Sequence, residues 1–222
     1  ETTRMEKDYR WPFFDLDGTL TDPGEGITRS VQYALRSFGI EVEDRTALYP
    51  FIGPPLADSF REFYGFGRED SLRAVEKYHE YFRRQGIFEN RLYPGMDRLL
   101  ENVSARGYGI AMATSKPAVF ARRIAEHFGI ARHFDFISGS GLDGTRTRKA
   151  EVIGEALRRL KIDDPARALM IGDRRFDMEG AAALGLDSAA VLYGYGTPEE
   201  IAAAHPTYTA GSVAELERLL LE

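Results

Sequence analysis

The 222-residue chain contains no cysteine. Disulfides, thiolate zinc centres and a cysteine nucleophile are therefore excluded. No apolar run approaches the ~20 residues needed to cross a bilayer, and no basic-then-apolar leader opens the chain. A cytoplasmic protein with no membrane partner is the expectation. Histidine is scarce: His79, His127, His133 and His205 show no i, i+4 spacing of a helical zinc site, and each is expected at the surface or its boundary. Basic charge is also in deficit. The 29 Lys and Arg against 35 Asp and Glu leave a net charge of −6, which argues against a nucleic-acid partner bound through a broad basic surface. A small anionic substrate held by local cations remains compatible with it. Hydrophobic residues at 43% and charged residues at 29% are ordinary for a globular protein of one large or two small domains. Glu1 to Thr3, ahead of Arg4 and Met5, read as an expression remnant and are set aside.

The most informative stretch is Phe13-Phe14-Asp15-Leu16-Asp17-Gly18-Thr19-Leu20-Thr21. In an extended chain residues i and i+2 face the same way, so Asp15 and Asp17 both emerge at the carboxyl end of a strand over Trp11 to Phe14. Two close carboxylates repel unless a cation or a shared proton intervenes, which points to a divalent metal. A simple Asp-Gly turn would also produce such a run. A calcium loop does not fit, because Leu20 stands where the sharp turn needs glycine and Gly26 where the bidentate glutamate belongs. A receiver domain is too short to account for the chain.

From Asp22 to Arg91 the pattern is helical. Ile27, Val31, Ala34, Leu35 and Phe38 keep helical spacing up to Gly39; Leu56, Phe60 and Phe63 mark a short helix; Leu72, Val75, His79 and Phe82 mark another that stops at Gly86. From Tyr93 on, helix and strand alternate. Strands are expected at Tyr108–Ala113, Phe134–Ile137, Ala168–Ile171 and Ala189–Leu192, and helices at 96–103, 117–128, 150–160 and 178–184. Thr197 to Glu200 and Ser212 to Glu215 have capping-box spacing. Alternation of this kind gives a parallel sheet covered on both faces, with ligands bound outside the carboxyl ends of its strands.

At those ends stand Thr114, Ser115 and Lys116, then Gly172-Asp173, with Asp177 one helical turn later. A hydroxyl beside helix-opening amides suits a phosphate oxygen, although Thr114 or Ser115 would also serve as a helix cap. Lys149 opens a helix, where a cation opposes the helix dipole and needs an acidic partner; a solvated basic loop is the plainer alternative.

In chain order, FFDLDGTLTD, ATSKP, the Lys149 region and MIGDRRFD resemble the four motifs of the haloacid dehalogenase superfamily, over essentially the whole chain. DPGEGITRSVQYAL, FIGPPL and GSGLDGTRTRKAEVI are most similar to its phosphoglycolate-phosphatase-like branch. The resemblance implies an α/β fold: a Rossmann-like, doubly wound parallel sheet core over residues 6–20 and 94–222, with an inserted all-helical cap over 21–93. It implies a Mg²⁺-dependent phosphatase acting on a small phosphorylated metabolite. Asp15 would be the nucleophile that forms an aspartyl-phosphate, and Asp17 the acid and base. Gly18, Thr114, Ser115 and Lys149 would bind the phosphoryl group. Asp15, the Asp17 carbonyl and Asp173 would hold Mg²⁺, with Asp177 supporting them and pairing with Lys149. The acid at position 17 favours phosphoryl transfer over dehalogenation. Nucleoside 5'-monophosphatase, pyrophosphatase and phosphosugar mutase stay open as alternatives, as do a monomer and a homodimer; a non-catalytic binding protein would have no need of all these positions. Glu25, Gly26, Ile27, Pro54, Pro55 and Ser59 are expected to face the site from the cap, with Arg29 and Arg146 as the candidate anion readers.

Overall fold

The structure, a computed structural model, describes residues 7–222. Glu1 to Thr3, and Glu6 at the start of the expected core, lie outside the described residues. The chain divides into two compact units, one made of the residues up to Thr21 together with Leu92–Glu222 and the other of Asp22–Arg91.

Strand β1 (Trp11–Phe14) is followed by a two-residue strand β2 (Thr21–Asp22) that pairs with β3 (Arg91–Leu92). Between β2 and β3 lie helices α1 (Gly24–Arg36), α2 (Leu56–Tyr64) and α3 (Arg68–Tyr81), with a 3-10 turn at Arg45–Phe51 and a π turn at Phe82–Gly86. Ile27, Val31, Ala34 and Leu35 of α1 are buried in this unit with Leu48, Phe51, Phe60 and Tyr78. The face of α3 that packs is Ser71, Ala74, Tyr78 and His79, whereas Leu72 is 52% exposed. The apolar spacing thus placed the helix, and of the expected inner residues His79 and Phe82 are buried while Leu72 is not. His79 is buried, deeper than the surface or boundary position expected of it, with its ring edge-on to Tyr78 at 5.6 Å. Gly26 is explained by packing: a Cβ there would meet the Gly86 carbonyl oxygen at 2.0 Å.

The rest of the chain supplies α4 (Met96–Ala105), β4 (Ala111–Pro117), α5 (Ala118–His127), β5 (Phe136–Ser140), α6 (Lys149–Leu160), β6 (Ala168–Gly172), α7 (Arg175–Ala183), β7 (Asp187–Val191), α8 (Pro198–Ala203), β8 (Tyr208–Ala210) and α9 (Val213–Leu221). Six strands form one parallel sheet in the order β5-β4-β1-β6-β7-β8. This is a doubly wound α/β arrangement with β1 at its centre. Phe13 and Phe14, and every residue of β6, are buried, as expected of strands covered on both faces. Pro12 is tolerated as the second residue of β1 because pairing with β4 begins only at Phe13. Thr197 and Ser212 cap α8 and α9 by accepting from the Glu200 and Glu215 amides. No described helix is long and apolar enough to cross a membrane.

Two strands sit later in the chain than the apolar pattern placed them. Residues 107–110 form the approach to β4: Gly109 packs under Trp11 so closely that a Cβ would fall 2.0 Å from the indole. The strand proper begins at Ala111 and runs through Thr114, Ser115 and Lys116 to Pro117. Its register against β5 shifts between Ala113 and Pro117, an irregularity of the kind that re-aims side chains at a strand end.

Candidate active site

The carboxyl ends of β1, β4 and β6 converge with the start of α6 within the sheet-bearing unit. The Asp15 amide still bonds to the Ile171 carbonyl at 2.9 Å, so Asp15 continues the ladder of β1 onto β6. The chain then turns sharply. The Leu20 and Thr21 amides donate to the Leu16 carbonyl, and the Gly18 amide donates to the Thr21 carbonyl at 2.8 Å. Gly18 has φ +79°, and a Cβ on it would lie 2.1 Å from Asp173 Oδ2. Glycine is therefore required both by conformation and by space.

Three carboxylates, Asp15, Asp173 and Asp177, each bring one oxygen to within 4.8 Å of the others, and all three are buried. Lys149 is set against them from the first turn of α6. Its Nζ lies 2.8 Å from Asp15 Oδ1 and 2.9 Å from Asp177 Oδ1, and donates to the Ala113 carbonyl at 3.2 Å. The acidic partner that a lysine at a helix N-terminus needs is thus present twice. Asp15 Oδ1 also accepts from the Leu16 amide at 2.8 Å. Asp177 Oδ2 accepts from the Arg174 amide at 3.1 Å, which locks it into the opening turn of α7.

Asp173 is braced by main chain. The Tyr195 amide donates to its Oδ2 at 2.7 Å, and Thr19 Oγ1 reaches its Oδ1 at 3.4 Å. Gly194 lets that loop approach, since a Cβ there would sit 2.3 Å from the Asp173 Cβ. Asp17 points elsewhere: its Oδ2 pairs with Lys116 at 2.9 Å, while its Oδ1 is buried without a hydrogen-bond partner among the described residues. Thr114 is buried and its Oγ1 accepts from the Lys116 amide at 3.2 Å; Ser115 is half-buried at the next position.

The electrostatics follow from this crowding. Burial, with the neighbouring charges of Asp177 and Asp15, raises the Asp173 carboxyl well above the usual range. Burial also pushes Asp177 up to about 6, against the pull of Lys149. Asp17 is raised by burial despite the opposing Lys116 charge. Burial alone would lower the Lys149 ammonium, but Asp15 and Asp177 outweigh it and hold it above its ordinary value. Four buried carboxylates face two buried ammonium groups, Lys116 and Lys149. With every group ionised the difference is two negative charges, which one divalent cation neutralises, relieving the crowding that raises these carboxyls. An all-oxygen donor set suits a hard ion such as Mg²⁺, so the residues present fit a metal of that class.

The expected site residues therefore gather at one sheet edge, with two differences of detail. The Asp177 carboxylate stands within the three-acid cluster rather than behind it, and the Asp17 side chain lies outside that cluster. Three contributors were not anticipated. Lys116 stands in the same strand-end run as Thr114, and a second lysine in an acidic site was the available signal. Tyr195 and Gly194 act through main chain, for which side-chain chemistry offers no signal. The two arginines considered as anion readers are engaged in ion pairs: Arg29 with Glu25 and Glu89, and Arg146 with Glu155 at 3.6 Å.

A family profile described as haloacid dehalogenase-like hydrolase matches residues 13–191. The chain belongs to this family. It is therefore an enzyme of the hydrolase class, on the α/β core that the family motifs implied. A protein named 5'-nucleotidase from Pseudomonas aeruginosa is 48% identical over 217 residues, covering 95% of this chain and 96% of that protein. The tyrosine-protein kinase PtkA of Mycobacterium tuberculosis is 38% identical over 209 residues, 93% of this chain and 71% of its own. A phosphoglycolate phosphatase from Yersinia pseudotuberculosis is 30% identical over 210 residues, 91% of this chain and 89% of its own. Among solved structures, a predicted phosphatase from Clostridium acetobutylicum superposes with a TM-score of 0.94 at 46% identity, covering 96% of this chain and 98% of that one.

Proposed function

We propose that this haloacid dehalogenase-like hydrolase is a Mg²⁺-dependent phosphatase that cleaves a small phosphomonoester through an aspartyl-phosphate on Asp15. The observation that carries this reading is Lys149 held between Asp15 and Asp177 inside a buried cluster of net charge −2.

Asp15 attacks phosphorus and splits one difficult displacement into two easier ones. Lys149 and the Thr114 hydroxyl, with Ser115 beside it, meet the charge on the transferring oxygens, which is the main requirement of phosphoryl transfer. Gly18 leaves room for the phosphoryl group to approach the main chain. Asp17 protonates the leaving oxygen, then takes a proton from the water that hydrolyses the aspartyl-phosphate; its elevated affinity for a proton suits the first role. When bound by Asp15, Asp173 and the Asp17 carbonyl, with Asp177 alongside, Mg²⁺ would supply positive charge to the phosphoryl oxygens.

A nucleoside 5'-monophosphate is the substrate class supported by the more similar relative, the Pseudomonas 5'-nucleotidase. Phosphoglycolate is supported by a more distant one. The test is phosphate release from nucleoside 5'-monophosphates, phosphoglycolate, hexose phosphates and pyrophosphate, with Mg²⁺ and with chelator. Release that requires Mg²⁺ and is fastest, by kcat/KM, on nucleoside monophosphates is the expected result. A higher kcat/KM on phosphoglycolate would move the assignment to that substrate. Phosphorylation of the protein without phosphate release would point instead to a mutase, whose phosphoryl group returns to an organic acceptor.

A further inference from the structure

We infer that Lys116 is a positioning residue for the leaving-group proton: it anchors one oxygen of Asp17 and so holds the other aimed at the leaving oxygen. The inference rests on the phosphatase reading above and concerns the half of the reaction that Lys149 does not touch.

Four observations converge on it. Lys116 Nζ lies 2.9 Å from Asp17 Oδ2, and the two side chains are only 6% and 10% exposed. Asp17 Oδ1 is buried with no hydrogen-bond partner among the described residues, an arrangement that is costly unless something else takes up the bond. The Lys116 main chain is itself held, since its amide donates to Thr114 Oγ1 and Pro117 follows directly. The strand register also slips between Ala113 and Pro117, which is what re-aims a side chain at the end of a parallel strand. A lysine bound only for net charge would need none of this local fixation. The lysines also divide the labour: Lys149 contacts Asp15 and Asp177, and Lys116 contacts Asp17.

The chemical consequence is specific. As an Asp15 oxygen bonds to phosphorus, the bond from phosphorus to the leaving oxygen breaks, and the electron pair left on that oxygen takes the proton from Asp17 Oδ1. An alkoxide leaving group, as in a nucleoside 5'-phosphate, needs this proton. A 4-nitrophenolate does not, because it is stable as an anion near neutral pH. Correct placement of Asp17 therefore matters for alkyl esters and little for nitrophenyl phosphate, whereas damage to the fold, the metal site or phosphoryl binding lowers both alike.

The experiment measures kcat/KM with Mg²⁺ for a nucleoside 5'-monophosphate and for 4-nitrophenyl phosphate, in the wild type, Lys116→Met, Lys116→Gln and Lys116→Arg. Because kcat/KM ends at the first irreversible step, later hydrolysis of the aspartyl-phosphate does not enter it. The expected result is a loss on the alkyl ester at least tenfold larger than on the nitrophenyl ester for Met and Gln, with Arg recovering much of it. Equal losses on both esters, or no loss, would overturn the inference while leaving the phosphatase reading intact. If the wild type hydrolyses neither ester, the reading itself falls and the inference with it. Should Lys116→Met fold poorly, Lys116→Gln, which keeps a polar end, carries the comparison.

Discussion

A lysine at the first position of a helix faces the positive end of the helix dipole, and Lys149 is stable there because Asp15 and Asp177 lie 2.8 and 2.9 Å away. That requirement was legible from sequence, since a cation in this place needs an acid and Asp173, Asp177 and Asp15 stood at neighbouring strand ends. The identity of the partner was legible only in part. Asp177 was expected beside Lys149, but the second contact to Asp15 depends on how β1 and α6 meet in space. Exchanging Asp15 for Asn should test the nucleophile with little disturbance to packing, as the two side chains are nearly the same size. Turnover should fall by ~10³-fold or more, in line with the loss of a group that acts in concert with its neighbours, while the folded circular-dichroism spectrum persists. Activity within about tenfold of wild type would remove Asp15 from that role.

Elements were easier to read than their ends. Long amphipathic helices such as α1 and α6 carry several turns of apolar spacing, so their existence followed from pattern. Strand β8 has three residues, Tyr208–Ala210, too few for any periodicity, and was not anticipated. The 3-10 turn at Arg45–Phe51 falls between the apolar-spaced stretches that marked the helices. The displaced start of β4 has a packing cause, the indole of Trp11 over Gly109, which no local pattern encodes. Gly18 belongs to this scale too, because it closes the turn after β1. Replacing it with Ala should place a methyl on Asp173 and a side chain at φ +79°, with a strain of about 1 kcal/mol from the backbone alone. The larger effect should be on metal use: the Mg²⁺ concentration for half-maximal activity is expected to rise ~10-fold or more, as for other changes that misorient a metal ligand. An unchanged Mg²⁺ requirement would mean that Asp173 does not hold the ion.

For the molecule as a whole, the charge balance of the site couples metal to stability. Three carboxylates crowded to within 4.8 Å and only partly balanced by Lys149 disfavour the folded core. Saturating Mg²⁺ should therefore raise the unfolding temperature of the sheet-bearing unit. A concentration of 100 times Kd corresponds to about 2.7 kcal/mol, or roughly 5–10 °C for a chain of this size. Thermal melts in Mg²⁺ and in chelator measure it directly, and superimposable melts would count against a metal at this site. At the amino end of β7, Asp187 receives bonds from Lys7 and Tyr9. Burial alone would raise its carboxyl, but those two donors prevail and hold it below its ordinary value. With a folded pKa below the unfolded one, this group contributes stability above about pH 4 that is lost as pH falls through the folded value. Asp187→Asn should cost about 1 kcal/mol at pH 7, chiefly through the Tyr9 bond because Lys7 is exposed and screened. It should also flatten the acid limb of the stability curve below pH 4 in urea titrations.

Alternating apolar runs, turn residues and strand-end acids were enough to establish a parallel α/β core and a helical insertion, and to gather Asp15, Asp17, Thr114, Lys149 and Asp173 at one edge of the sheet, while phosphoryl transfer there is what the family resemblance implies. These are local properties: periodicity, caps, and the rule that ligands gather where parallel strands end. Which acid pairs with which lysine is not local. Asp17 turns to Lys116 and Asp177 joins Asp15 and Asp173 because a register shift between Ala113 and Pro117 of β4, the close approach of Gly18 and Gly194 to Asp173, and the docking of α6 set distances of a few ångströms between segments that are far apart in the chain. Electrostatic energy in a buried site changes steeply over such distances, so the division of roles among these charges belongs to the packing of the whole fold.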